Sequence, residues 1–337
     1  MPPRQPTMRD VARLAGVSAA TVSRVVNNER YIRPETRASV ERAIAELGFQ
    51  RNEIARTLRP GQTADTIALV IEDPANPFWG AITRGAEETA RRHQHMLVVG
   101  STGLDFEQER DLLRDLVRRR ADGLLVVPTA HDHRELVAEL ARWAPMVFID
   151  RAPRGVSADS VALDNRGGAR AAVEYLLSRG YRRVAYVGGE LAVGTGANRL
   201  AGYRQALKNA GHRYEPALVS SGNHTVEAAR AAATGLLSGA APADAIFADN
   251  NRMCVGVLHA VEGYRGDIGV AGFDDLELAD LLPTPVALVT YDAVELGRHA
   301  AELLFGRIGG DSSPFKRAVH PTSIVLRGGD HHVLAPS

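Results

Sequence analysis

The sequence predicts a small all-α head followed by a two-lobed α/β body, in which parallel sheets carry helices on both faces. Up to about residue 60 the apolar residues recur at three-and-four spacing between tight joints, the pattern of short amphipathic helices. From Thr66 onward, short apolar runs alternate with amphipathic stretches at intervals of roughly 20 to 30 residues, as buried strands alternating with helices do. Charge divides the chain in the same way. There are 337 residues, with 40 Lys plus Arg against 40 Asp plus Glu. Residues 1–60 hold eleven Arg and six acidic residues, which leaves the remainder mildly acidic. A basic head on an acidic body points to a polyanion as the partner of the head.

Composition excludes several classes. With 45 % apolar and 24 % charged residues the chain can bury a sizeable core. The single cysteine, Cys254, allows neither an intrachain disulfide nor a Cys-based zinc cluster. No apolar run approaches the length of a membrane span, and Met1-Pro-Pro-Arg-Gln-Pro-Thr lacks the apolar stretch of a signal peptide. The expectation is a cytoplasmic protein without a membrane partner. Neither lysine, Lys208 or Lys316, follows a glycine-rich loop, so no Walker A phosphate site is present.

In the head, Thr7 caps a helix over Met8 to Ala15 that turns Val11, Leu14 and Ala15 inward. Gly16 supplies a turn, Val17 packs inward, and Ser18 caps a second helix to about Asn27 with Val22, Val25 and Val26 in the core. Ala20, Ser23, Arg24 and Asn27 share its opposite face. A third helix starts near Pro34, a favoured first-turn residue, and buries Val40, Ala43, Ile44 and Leu47. Two helices joined by a Gly-containing turn describe a helix-turn-helix. From periodicity alone, an ordinary three-helix packing unit fits as well. Residues 7–27, TMRDVARLAGVSAATVSRVVN, resemble the N-terminal signature of the LacI/GalR family of transcription regulators, and similarity extends over almost the entire chain.

That resemblance implies a double-stranded DNA operator as partner. A helix in the major groove reads guanine through a bidentate arginine, and Arg24 is the candidate. In the family the two residues after the capping serine help choose the operator; here they are Ala19 and Ala20, which leave more of the specificity to Arg24 and the hinge. Thr21, Ser23 and Asn27 suit phosphate contacts, although capping or solvation would explain them too. Asn52 can cap a helix of about two turns that ends before Pro60, too short to be stable alone. The resemblance implies that this hinge folds in the minor groove as a dimer pair, with Leu58 as a wedge and Ala55 where two helices approach. Glu53 stands where the family often has proline, and a plain linker is the alternative.

In the body, strands are expected at Ile67–Ile71, Met96–Val99, Gly123–Val127 and Met146–Ile149, then at Val184–Val187, Ala245–Ala248, Ile268–Ala271 and Val286–Val289. Ligands in such folds sit at the carboxyl ends of strands and between lobes. Those ends carry Asp73, Asn76, Phe78-Trp79, Asp150-Arg151, Gly194–Arg199, Asp249-Asn250-Asn251, Asp274 and Tyr291. Adjacent aromatics are usually core, but they can also face a sugar ring. Asp, Asn and Arg suit a polyhydroxylated ligand. The resemblance extends to the periplasmic sugar-binding fold and places effector contacts at Asn76, Phe78, Trp79, Asp150, Arg151, Arg199, Asn250, Asp274 and Tyr291. Asn250-Asn251 replaces an Asn-Asp of the relatives, and Tyr291 replaces a common Gln, which adds bulk and a stacking face.

The implied domains are a helix-turn-helix at 1–50, a hinge at 51–61 and an effector-binding and dimerisation domain at 62–337. Its first lobe spans about 62–163 plus 291–322, and its second about 164–290 plus 323–328. His93-Gln94-His95 and His131-Asp132-His133 have neither zinc-finger nor HExxH spacing and are expected on the surface, so no metal is expected. Cys254 is expected to be an inert core residue, and no cofactor motif or nucleophile–base arrangement stands out. The expected function is a ligand-responsive, sequence-specific regulator, a repressor that acts as a homodimer on a palindromic site with a sugar or sugar derivative as effector. A solute-binding protein with the same body, or an α/β enzyme, is the alternative.

Overall fold

The computed structural model describes residues 6–26, 31–49, 65–262, 264 and 266–329. Asn27 and the hinge positions Asn52, Ala55 and Leu58 lie outside these residues. The chain divides into two units, Met1–Ala64 and Asp65–Ser337.

In the first unit, α1 (Met8–Ala15) starts at a reciprocal cap, in which the Thr7 hydroxyl accepts from the Asp10 amide and the Asp10 carboxylate accepts from the Thr7 amide. Gly16 ends it at φ +68°, the left-handed region that a side chain disfavours. Ser18 Oγ accepts from Thr21 N at 3.1 Å to open α2 (Ala19–Val26), and Pro34 opens α3 (Pro34–Leu47). Val11, Ala12, Val22, Val25, Val40 and Ala43 form the core, with Ile44 and Leu47 half-buried against it. Leu14 departs from expectation, being 46 % exposed. The inward stripe of α1 runs through Met8, Val11, Ala12 and Ala15, and Leu14 lies well round the helix from it.

The second unit holds two α/β lobes. The first contains β1 (Thr66–Ile71), α4 (Pro77–Arg92), β2 (Met96–Ser101), α5 (Phe106–Arg118), β3 (Gly123–Val126), α6 (Arg134–Leu140), β4 (Met146–Asp150) and β5 (Asp159–Leu163). The second contains α7 (Asn165–Ser178), β6 (Val184–Val187), α8 (Gly194–Asn209), β7 (Val219–Ser220), α9 (Val226–Ser238), β8 (Ala245–Ala248), α10 (Asn251–Val261), β9 (Gly269–Phe273) and β10 (Val286–Thr290). The chain returns through α11 (Ala293–Ile308) and β11 (Arg317–His320) to the first lobe, and ends with β12 (Ser323–Arg327) in the second. The first sheet is parallel, in the order β11-β5-β4-β3-β1-β2. The second runs β12-β10-β9-β8-β6-β7 and is mixed, because β12 is antiparallel to β10. The chain passes between the sheets near 164, 291 and 321.

Two further expectations need correction. His133 is 1 % exposed rather than on the surface, since its Nε2 meets the equally buried Glu109 at 2.9 Å and its Nδ1 donates to the His131 carbonyl at 2.8 Å. A carbonyl can only accept, so Nδ1 carries a proton and the ring is locked as a strut under the loop that follows β3. The second sheet is also not wholly parallel. By contrast, Cys254 is buried, and burial pushes its thiol up to about 12, which makes it unreactive.

Candidate functional site

On the head, Ala19, Ala20 and Arg24 are exposed along the outer face of α2, with Ser23 half-buried beside them. Thr21 also makes a local contact, its hydroxyl 2.9 Å from that of Ser18 at the start of the helix. Tyr31, which the sequence reading passed over, is 91 % exposed two residues before Arg33. An aromatic in the joint between the second and third helices, flanked by charged residues, was the available signal.

In the body, the carboxyl ends of β1, β4, β6, β8 and β9 converge on a cavity of about 150 Å³ between the lobes. Eight of the nine expected effector residues line it: Asn76, Phe78, Trp79, Asp150, Arg151, Arg199, Asn250 and Asp274. Tyr291 does not. It stands behind, donating its hydroxyl to Asp274 and meeting Phe78 edge-on with centroids 5.7 Å apart, and it borders a wider depression of about 1370 Å³ instead. Trp79 is 3 % exposed and belongs largely to the core, so Phe78 is the more accessible of the two aromatics.

The two buried arginines are held by different means. Arg151 donates to Asp150 at 2.9 Å, to Glu72 at 3.2 Å and to the Pro128 carbonyl at 2.8 Å. Arg199 lies 3.7 Å above the Phe273 ring. It donates to Asn165 at 2.8 Å and to the Asp249 carbonyl at 2.5 Å, with Asp274 at 3.9 Å. Burial alone would lower the Arg199 pKa, but Asp274 and the other acidic groups around it raise it overall, so the guanidinium is firmly charged. Asp150 and Asp274 both sit in left-handed backbone, at φ +71° and +76°. Aspartate tolerates that region better than most residues, and strain of this kind gathers at ligand sites.

Asp249 was seen in the sequence as a strand-end residue but not chosen as a contact. It is 2 % exposed, accepts from Tyr186 at 2.8 Å and from the Gly189 amide at 3.1 Å, and lines the cavity. Burial pushes its pKa up, as it does that of Asp150. Asn250 caps α10 through Met253 N and donates to Asp249 at 2.9 Å. Glu72 and Asn165, which brace the two arginines, were missed; Glu72 could have been found from its place at the end of β1. Among the described residues no group of three or more His, Cys, Asp or Glu could hold a metal ion, and no helix is long and apolar enough to cross a membrane.

Comparison with known proteins bears on both units. Residues 7–52 match the family model for bacterial regulatory proteins of the lacI family, and residues 64–324 that for periplasmic binding proteins and the sugar-binding domain of the LacI family. The chain is 36 % identical to the transcriptional regulator CelR of Thermobifida fusca, over 96 % of this chain and 98 % of that one. It is 34 % identical to the ribose operon repressor of Escherichia coli K12, over 90 % and 93 %. A solved lac repressor dimer bound to operator and an anti-inducer superposes with a TM-score of 0.84 at 25 % identity, covering 96 % of this chain and 98 % of that chain. A CelR–cellobiose complex gives 0.72 at 33 % identity, covering 96 % and 100 %. The head built on a capped recognition helix and the two-lobed body with its polar cleft thus match along nearly the whole chain, and the protein belongs to the LacI/GalR family of transcription regulators.

Proposed function

We propose that this protein is a ligand-responsive repressor that binds a palindromic operator as a homodimer and takes an uncharged, polyhydroxylated effector of monosaccharide size between its lobes. The observation that carries the reading is the union in one chain of an exposed reading face on α2 with a cleft of paired aspartates and arginines beside Phe78. Two-fold symmetry in the protein suits two-fold symmetry in the site. Arg24 is assigned to a guanine, Thr7, Ser18, Thr21, Ser23 and Asn27 to register on the backbone, and Ala19 and Ala20 to close approach. Asn52, Ala55 and Leu58 form the hinge, with Leu58 as the wedge. Tyr31 joins them as a further DNA contact.

The effector class follows from charge and volume. Glu72, Asp73, Asp150, Glu190, Asp249 and Asp274 outnumber Arg151, Arg199 and Arg252 around the cavity, and each of these arginines already has a carboxylate within 4 Å. A phosphate or carboxylate on the ligand would meet excess negative charge, whereas hydroxyls can donate to the acids. One water needs roughly 10 to 15 Å³ of such space, so the cavity suits about as many heavy atoms as one monosaccharide contains. The test is unfolding of the purified protein against neutral sugars, sugar phosphates and nucleosides, followed by operator binding with and without any hit. Ligand at a hundredfold excess over its Kd stabilises by ~2.7 kcal/mol. Stabilisation by a neutral monosaccharide that also shifts operator affinity is the expected result, and a response only to phosphorylated sugars would overturn the effector class.

A further inference from the structure

The two lobes touch beside the cleft through four polar side chains. Arg252, in the first turn of α10, pairs with Asp73 in the loop after β1. Asn76, the cap of α4, and Asn251, the first residue of α10, face each other amide to amide. Asn251 Nδ2 donates to Asn76 Oδ1 at 2.8 Å, and Asn76 Nδ2 donates to Asn251 Oδ1 at 3.4 Å. Each side is fixed to its own lobe. The Phe78 amide donates to Asn76 Oδ1 at 3.1 Å, the Arg252 amide to Asn251 Oδ1 at 2.8 Å, and the Asn251 amide to Asp274 at 3.2 Å.

We propose that these residues form a clasp that holds the lobes closed before any ligand arrives, and that Asn251 is the residue that makes the clasp possible. Only a side chain that both donates and accepts can complete the pair with Asn76. An aspartate at 251 could accept from Asn76 but could not donate to it. It would also add a charge beside Asp274, which already accepts from the amide of residue 251, and next to the Asp73–Arg252 pair. Asn76 is therefore partly committed to the opposite lobe rather than wholly to the effector. This inference rests on the cleft reading for its consequence alone. The apparent effector affinity is the intrinsic affinity scaled by the fraction of closed molecules, so the clasp sets the sensitivity of the regulator through that fraction.

The experiment uses the ligand-free full chain. Spin labels on cysteines placed at the exposed positions Arg119 in the first lobe and Lys208 in the second report the distance between lobes, and the buried Cys254 does not compete for label. Labelled protein diluted into an excess of unlabelled protein, so that a dimer carries one labelled protomer, should give one short distance with the clasp unsubstituted. Asn251→Asp and Arg252→Ala should each add a population at longer distance, and the exchanged pair Asp73→Arg with Arg252→Asp should recover the short one. Asp73 and Arg252 side chains are 31 % and 41 % exposed, so their replacement leaves the core intact, and matching circular dichroism spectra would verify this. Distances unchanged in both single variants, or no recovery in the exchanged pair, would overturn the clasp. Because no effector is added, failure to find a sugar ligand would bear on the proposed function and not on this result.

Discussion

Asp249 shows how a single carboxylate is tuned by its surroundings. Hydrogen bonds from Tyr186 and Gly189 and the field of Arg199 favour its charged form, yet burial dominates and its pKa rises. A folded-state pKa above the unfolded value means that the ionised group opposes folding: the stability it allows is complete below the ordinary carboxylate range and is lost as pH climbs through the raised value. Asp249→Asn keeps an acceptor for Tyr186 and Gly189, gives up the bond from Asn250 and removes the charge. Its melting temperature should therefore gain on that of the parent as pH climbs above the ordinary carboxylate range. Thermal scans against pH check it, and a difference from the parent that stays constant or shrinks toward alkaline pH would show that ionising the carboxylate does not oppose folding. Arg24 belongs to the same scale. Arg24→Ala should cost ~1–3 kcal/mol of discrimination at one operator base pair, read by titrating the operator against single-base variants; equal losses on every sequence would demote Arg24 to a phosphate contact. Residues such as Asp150, Arg151 and Asp274 were legible because they directly follow apolar runs. Asn165 was not, because its partner Arg199 lies on a different helix and no local pattern links them. His133 misled for a similar reason: its buried partner Glu109 is 24 residues away on α5.

At the level of elements, strands with continuous apolar runs announced themselves, the edge strand β2 included, and those built on polar residues did not. β1, β3, β4, β8 and β9 are covered on both faces and read as continuous apolar runs. β11 alternates exposed and half-buried residues at a sheet edge, and β5 opens with Asp159, whose carboxylate takes Arg307 at 2.8 and 3.0 Å and the Lys316 amide at 2.7 Å. Those polar anchors hide a strand from a hydropathy reading. Helix contacts were equally invisible. α4 and α11 cross so closely that a Cβ at Gly297 would stand 2.1 Å from the Ile82 carbonyl, and one at Gly85 1.9 Å from that of Val294. Backbone cannot swing aside as a flexible side chain can, so the helices would have to separate. Gly297→Ala should destabilise the body by ~1–3 kcal/mol as an overpacked site. Denaturant unfolding measures this, and a neutral result would mean that the α4–α11 contact is slack. Because α11 returns from the second lobe to pack on the first, loosening it should also loosen the passage near 291.

At the scale of the whole molecule, a palindromic operator requires two heads, and the body must bring two chains together. β2 is the strand whose exposure is hardest to reconcile with a lone chain. It ends the first sheet, pairs with β1 alone, and leaves Met96 62 %, Val98 37 % and Val99 44 % exposed. Soluble proteins normally blunt an edge strand with charge, proline or a covering element, and an uncovered apolar edge marks a contact surface. In this chain the partner that the operator symmetry calls for is a second copy. Met96→Arg together with Val98→Arg places two charges on that edge without disturbing a buried side chain, so the monomer should fold with an unchanged Tm at low concentration. Sedimentation should then show loss of the dimer at concentrations where the parent protein is fully associated. Operator affinity should fall by at least a hundredfold, since joining two half-site readers raises avidity by about 10² to 10⁴, while binding to a single half-site stays as it was. If the doubly substituted protein still sediments as a dimer, the contact lies elsewhere on the body, and β2 must owe its exposed side chains to some other purpose.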